Sequence, residues 1–178
     1  MGGSLLADEV MTISKLKPVK HFVETGTYKA ESSILASYVF EDVHTIEIHE
    51  GLYNENLQKM SDLGIQNIYS YKGDSTDLLP EIMEKVRSEG SVFFLDAHMS
   101  GADSGWNGVK HVPLIPELET ILAHRPVGSI YIFDDVRLWG IYSWTEVTVE
   151  NILQLMKDRG QEVERQFIQN DRLIVVTK

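Results

Sequence analysis

The sequence predicts an α/β fold: a doubly wound, mostly parallel sheet of seven strands, with helices on both faces and a C-terminal antiparallel hairpin. Three observations predict it. Short apolar runs alternate with helix-period segments along the whole of the 178 residues, and such alternation implies parallel strands joined by crossover helices. The run Ser91 to Leu95 is apolar enough to be buried on both faces, as a central parallel strand must be. The last stretch reads instead as two strands, Gln161 to Ile168 and Arg172 to Thr177, joined across Gln169-Asn170-Asp171.

The elements follow in order. Leu5 to Leu16 has the period of a short amphipathic helix, and His21 to Thr25 reads as the first strand. Glu31 to Phe40 predicts a helix with Ile34, Leu35, Tyr38 and Val39 on one face. His44 to Ile48 is a second strand, and Gly51 to Leu63 a helix carrying Leu52, Tyr53, Leu57 and Met60, stopped by Gly64. Asn67 to Tyr71 is a third strand, and Pro80 to Arg87 a helix with proline near its start. After the fourth strand, Ser91 to Leu95, the stripe Leu114, Ile115, Leu118, Ile121 and Leu122 marks a helix, Ser129 to Phe133 a fifth strand, and Thr145 to Asp158 a last helix. The length suits one domain with a sizeable core. Residues 20–178 form it, preceded by a lead-in over residues 1–19 whose first four, Met1-Gly2-Gly3-Ser4, read as a tag remnant or the end of a cut from a longer chain.

Composition narrows the function. Apolar content of 43% and charge of 24% are ordinary for a globular protein. The absence of cysteine excludes disulfides, zinc–thiolate sites and thiol nucleophiles, and is compatible with a reducing compartment. A net charge of −11 repels phosphate backbones with no basic patch to offset it, so no nucleic-acid partner is expected. No apolar run reaches membrane-spanning length, so no membrane partner is expected either. The expectation is a cytoplasmic protein with a small-molecule or glycan substrate, free to form a homo-oligomer.

In sheets of this kind ligands bind beyond the carboxyl ends of the strands, where strand order reverses. The first such end is Glu24-Thr25-Gly26-Thr27-Tyr28. Gly26 lets backbone approach a ligand closely. A pyrophosphate calls for three glycines at G-x-G-x-x-G spacing, and only Gly26 fits, beside an acid that would repel phosphate. That pairing suits a cationic or amino-bearing ligand; a tight turn with a solvated carboxylate is the plainer alternative. At the second end Glu47 is placed to accept both hydroxyls of a ribose, with Glu50 as a helix-start acid. At the third, Gly73, Asp74 and Ser75 offer hydrogen bonds to an adenine, or else Ser75, Thr76 or Asp77 caps the next helix.

The fourth and fifth ends carry Leu95-Asp96-Ala97-His98 and Phe133-Asp134-Asp135. Neighbouring strands would bring Asp96, Asp134 and Asp135 to one rim, where crowded carboxylates repel unless protonated or bridged by a cation. An all-oxygen set suits Mg²⁺ or another hard divalent ion, which would orient a hydroxyl and lower its pKa. His98 reads as a general base beside Asp96, or as a loop histidine or metal ligand. The long stretch Met99 to Val112 offers Trp106 to stack on a ring and Asp103 to hold hydroxyls, while Arg137, Trp139, Tyr142 and Trp144 offer a second wall or plain packing.

Taken together these strand ends resemble the class I S-adenosylmethionine-dependent methyltransferases, a Rossmann-like fold. Val23-Glu24-Thr25-Gly26-Thr27 resembles their first motif, Glu47 the ribose-holding acid, and Gly73-Asp74-Ser75 the adenine-side loop. Within them, Gly73-Asp74 with Leu79-Pro80, then Leu95-Asp96 and Asp134-Asp135, is similar to the macrocin O-methyltransferase group. The resemblance implies S-adenosylmethionine as cofactor, bound by Glu24, Thr25, Gly26, Thr27, Tyr28, Glu47, Gly73, Asp74, Ser75 and Asp96. It also implies Mg²⁺ on Asp96, Asp134 and Asp135 and methylation of a sugar hydroxyl; beside it, the residues themselves are read as placing His98 and Asp96 in catalysis and Asp103, Trp106, Arg137 and Trp139 toward substrate. The chain departs from that group in a first motif that lacks a second glycine, with Ala30 nearby instead, and in the loop with His98 and Trp106. The rivals are a nicotinamide oxidoreductase, which the missing glycines and Glu24 disfavour, and a nucleoside-binding domain without chemistry.

Overall fold

The parallel strands form where β-branched and aromatic residues cluster, and side-chain alternation along them builds two separate core layers. The computed structural model describes residues 3–98, 112–141 and 144–178. In chain order the elements are α1 (Ala7–Ile13), β1 (His21–Thr25), α2 (Glu31–Ser37), β2 (Asp42–Glu47), α3 (Glu50–Asp62), β3 (Ile68–Lys72), α4 (Ser75–Val86) and β4 (Ser91–Leu95). Then come α5 (Leu114–Ala123), β5 (Ile130–Phe133), a 3₁₀ turn (Val136–Leu138), α6 (Val149–Asp158), β6 (Val163–Gln169) and β7 (Arg172–Thr177). They make one seven-stranded sheet in the order β3-β2-β1-β4-β5-β7-β6. Strands β1 to β5 are parallel, and β7 is antiparallel to both β5 and β6. This is the Rossmann-like sheet with a closing hairpin that the sequence predicts. Its order reverses between β1 and β4, and the register sets Thr25 opposite both Ile46 and Leu95, so three strand ends lie flush.

One core layer joins Val23, Ile46, Phe93, Tyr131, Phe133 and Val175 of the sheet to Leu79, Ile82 and Met83 of α4, Leu118 and Ile121 of α5, and Ile152 and Met156 of α6. The other joins Phe22, Val43, Val92, Phe94, Ile132 and Val176 to Leu5, to Val10 and Ile13 of α1, and to Ala36 of α2. The N-terminal lead-in is therefore built into the second layer. Among the described residues no helix is long and apolar enough to cross a membrane.

Two helices depart from their expected form. Helix α2 ends at Ser37, and its buried residues are Ser32, Ser33 and Ala36, while Tyr38 is 71% exposed. Polar side chains occupy its inner face because they bond inward: Ser33 donates to Glu24, and Ser32 Oγ accepts the N–H of Leu5 at 2.9 Å. Helix α4 starts at Ser75, well ahead of Pro80, because Asp74 caps it by accepting the N–H of Thr76 at 2.9 Å.

The hairpin is tied to the N-terminal segment through one buried cation. Arg172 Nη1 lies 2.8 Å from Glu9 Oε1 and its Nε 3.2 Å from Asp134 Oδ1, and its other nitrogen reaches the carbonyl of Gly3. Glu9 also accepts from Leu6 N and Asn170 Nδ2 at 2.8 and 2.9 Å. Burial alone would raise its carboxyl, but these donors and Arg172 hold it below its ordinary value. Arg172→Met leaves Glu9 and Asp134 buried without their cation. Urea denaturation should show a loss of about 3–5 kcal/mol; an unchanged midpoint would mean that the pair is not coupled to the fold.

Candidate active site

The site is the crevice beyond β1, β2 and β4. Its first wall is the turn after β1. Gly26 takes a φ of +83°, and a Cβ there would stand 2.8 Å from the carbonyl oxygen of Asp96. The glycine is thus demanded by the end of β4 pressing on the turn. Gly26 N and Thr27 N both donate to Ile46 O, at 3.0 and 3.1 Å, which stitches the turn to β2. Glu24 points beneath it: its Oε2 accepts from Ser33 Oγ and, at 2.7 Å, from Thr45 Oγ1, which lies 2.6 Å from Thr27 Oγ1. Burial pushes Glu24 up to about 7, against the opposing pull of those hydroxyls and with a contribution from Asp96.

The second wall is Glu47 at the end of β2. Its two oxygens accept the backbone N–H groups of Tyr28 and His49, both at 2.8 Å. Those two bonds fix the carboxylate's plane and leave lone pairs for further donors. Tyr28 is held in the left-handed region, φ 47°, and its carbonyl accepts from Asn56 Nδ2 of α3 at 2.8 Å. Its ring is exposed.

On the β3 side Gly73 N donates to Glu47 O at 3.0 Å, which brings this loop against the second wall. Asp74 is spent as the cap of α4, through both the N–H and the hydroxyl of Thr76. Ser75 is buried and donates to Glu117 Oε1. Sequence reasoning missed Glu117. It sits on α5 at 0% exposure and also accepts from Thr25 Oγ1 at 3.2 Å. The signal was present: Glu117 interrupts the apolar stripe Leu114, Leu118, Ile121 at a helical spacing that faces the core. Burial pushes it up to about 8, opposed by Ser75 and Thr25 and aided by Asp74 and Asp96.

The acidic rim is arranged differently from the expected triad. Asp96, His98 and Asp135 offer ligand atoms that all lie within 4.8 Å of one another. Asp134 is not one of them. The alternation of β5, which sends Ile130 and Ile132 to one core layer and Tyr131 and Phe133 to the other, carries the neighbouring side chains of Asp134 and Asp135 to opposite faces. Asp134 faces Arg172 and accepts the N–H of Gly3 at 3.1 Å, and burial raises its carboxyl against the pull of Arg172. Asp135 lies 2.8 Å from His98 Nε2 and contacts Arg137. Burial would raise it, but His98 and Arg137 hold it below its ordinary value. Asp96 is pushed up to about 7 by burial, with His98 opposing and Asp134 and Asp135 adding. Burial would lower His98, yet Asp135 and Asp96 carry it up to about 10, and its ring meets the edge of Trp144 at 5.4 Å.

Of the expected substrate wall, Arg137 is bound to Asp135 and Asp171. Trp139 donates from Nε1 to Asp134 O at 3.2 Å and packs edge-on to Phe133. Asp103, Trp106 and Tyr142 lie outside the described residues.

No family model matches the sequence, and no curated protein matches it. Solved structures do. The O-methyltransferase TomG of Streptomyces achromogenes, which is involved in tomaymycin synthesis and was solved with S-adenosylmethionine, is 16% identical, with a TM-score of 0.65 over 96% of this chain and 78% of its own. A Staphylococcus aureus protein assigned as a caffeoyl-CoA O-methyltransferase is 17% identical, with a TM-score of 0.64 over 97% and 82%. The N-methyltransferase NodS of Bradyrhizobium japonicum is 9% identical, with a TM-score of 0.62 over 96% and 92%. The fold of this chain is therefore the one shared by S-adenosylmethionine-dependent methyltransferases.

The proton on Glu117 makes a prediction. With its carboxyl raised from 4.5 to about 8, the folded chain keeps a proton that the unfolded chain releases. The stabilisation is present in acid and lost as pH climbs through about 8. Glu117→Gln should therefore gain stability relative to wild type as pH rises from about 5 to 8. Urea midpoints across that range check it, and parallel curves for the two proteins would refute it.

Proposed function

We propose that this protein is an S-adenosylmethionine-dependent methyltransferase that acts on a hydroxyl group, with a divalent cation at the rim of its crevice. The observation that carries the reading is the pair of acids at the order reversal: Glu47 ends β2 and Asp96 follows β4, while Gly26 and Thr27 have their N–H groups turned onto β2. A pyrophosphate would meet carboxylates in place of free N–H groups, whereas a sulfonium and an ammonium are cations. Glu47, held by two backbone donors, suits a ribose diol. The nicotinamide reading loses on the same residues.

The reaction would move the methyl group from sulfur to the acceptor oxygen. The C–S bond breaks as the C–O bond forms, the hydroxyl proton leaves to a base, and S-adenosylhomocysteine and a methyl ether remain. Alignment of oxygen, carbon and sulfur would supply most of the rate. The acceptor class, a sugar or glycan hydroxyl, is carried by the macrocin-group resemblance alone.

Asp96, His98 and Asp135 fit a cation, since their ligand atoms lie within 4.8 Å of one another and His98 Nδ1 is buried without a hydrogen-bond partner. When bound, the ion would orient the acceptor hydroxyl and acidify it. One imidazole and two carboxylates suit Mn²⁺ or Zn²⁺ better than Mg²⁺, which prefers oxygen alone. The second reading leaves His98 as the base, with Asp135 orienting its ring from 2.8 Å.

Calorimetric titration tests the cofactor: S-adenosylhomocysteine should bind and NADH should not, and Glu47→Ala should weaken binding by about tenfold or more through the lost ribose contacts. Binding of NADH alone would sink the proposal. His98→Gln separates the two roles. For a ligand, saturating Mn²⁺ restores most of kcat. For a base, kcat stays down by about 10²–10⁴ at any metal concentration.

A further inference from the structure

Glu117 has no part in the reaction just described, yet it is wholly buried and both its oxygens are engaged by hydroxyl groups from different elements. Thr25 ends β1 and stands between Glu24 and Gly26; its carbonyl accepts the N–H of Asp96 at 3.2 Å. Ser75 opens α4 directly after its cap, Asp74, and the loop from Gly73. Around Glu117, α5 packs on α4 through Leu118, Ile121, Ile82 and Met83. Packing alone would be met by an apolar side chain, since a buried polar group is costly unless paired. What a polar planar group does here, and an apolar one cannot, is hydrogen-bond both hydroxyls at once.

We infer that Glu117 is a positioning residue: its carboxyl group joins the turn after β1 to the start of α4 and sets the spacing of the two loops between which the cofactor lies. The inference rests on the cofactor reading above. The two loops share no backbone hydrogen bond of their own among the described residues: Gly26 and Thr27 bond to β2, and Gly73 bonds to Glu47. Glu47 touches both on the β2 side, through Tyr28 N–H and Gly73 N–H, and Glu117 joins the end of β1 to the start of α4 from the opposite side, through its carboxyl group alone. Removing it would let the adenine-side loop move relative to the first turn while the sheet and both core layers stay in place.

Glu117→Leu and Glu117→Gln test this, with S-adenosylhomocysteine binding and thermal unfolding measured on the same samples. Leucine fills the space and accepts nothing. It should keep the unfolding midpoint close to wild type and weaken binding by about tenfold or more. Glutamine keeps both links, its oxygen accepting from one hydroxyl and its NH₂ donating to the other, and should bind within about threefold of wild type. Leucine binding as tightly as wild type overturns the inference. If Glu117→Leu fails to fold, Ser75→Ala removes one of the two links at little volume and should weaken binding in smaller measure; wild-type affinity there overturns it equally. If wild-type protein itself binds no S-adenosylhomocysteine, the cofactor reading falls on its own. Hydrogen exchange then decides the joint: Ser75→Ala should speed exchange at residues 25–28 and 74–78 together with β4 unchanged, and unchanged exchange in both loops overturns it.

Discussion

Carboxyl groups buried at one end of the sheet set the terms for the rest of this structure. Glu24, Glu47, Glu117, Asp134 and Asp135 are all withdrawn from water there, and a buried ion must be paired, hydrogen-bonded or neutralised. Each demand is met by a different element. Helix α2 turns Ser33 inward for Glu24, the first turn gives the Tyr28 N–H to Glu47, and α4 gives Ser75 to Glu117. The hairpin supplies Arg172 for Asp134, and the loop after β4 supplies His98 for Asp135. The irregular features follow from this: an inward-facing polar helix, an acid on an apolar stripe, and an N-terminal segment drawn onto the rim.

The sheet was legible because period-two and helix-period patterns are local, and the order reversal follows from them by topology. Glu47 and Asp96 were legible because they stand just past apolar runs. Glu117 and Arg172 were not, because their meaning lies in partners far away in sequence: Thr25 and Ser75 for one, Glu9 and Asp134 for the other. The divergence of Asp134 from Asp135 follows from a pattern the sequence does carry: the alternation that puts Ile130 and Ile132 in one layer and Tyr131 and Phe133 in the other sends consecutive side chains to opposite faces.

The first turn takes on a different meaning. Its missing glycines argue against a pyrophosphate, but the glycine that is present answers to Asp96, not to a ligand. Ala30 sits at φ +59° and so holds a conformation that costs a residue with a Cβ roughly 1 kcal/mol. The turn keeps its shape because Thr27, Tyr28 and Gly26 are bonded across to β2.

The tie between Asp134 and Arg172, and that between Arg137 and Asp171, bear on how the molecule is made. A ribosome completes β1, β4 and β5 long before it reaches residues 171 and 172, and domains form as cooperative units during synthesis. Until then Asp134 lacks the guanidinium of Arg172, and β5 lacks its neighbour β7, while Asp135 already has His98 and Arg137. The nascent chain therefore carries one unmatched carboxyl group at the open edge of β5, and this rim reaches its working charge distribution only when β7 is in place.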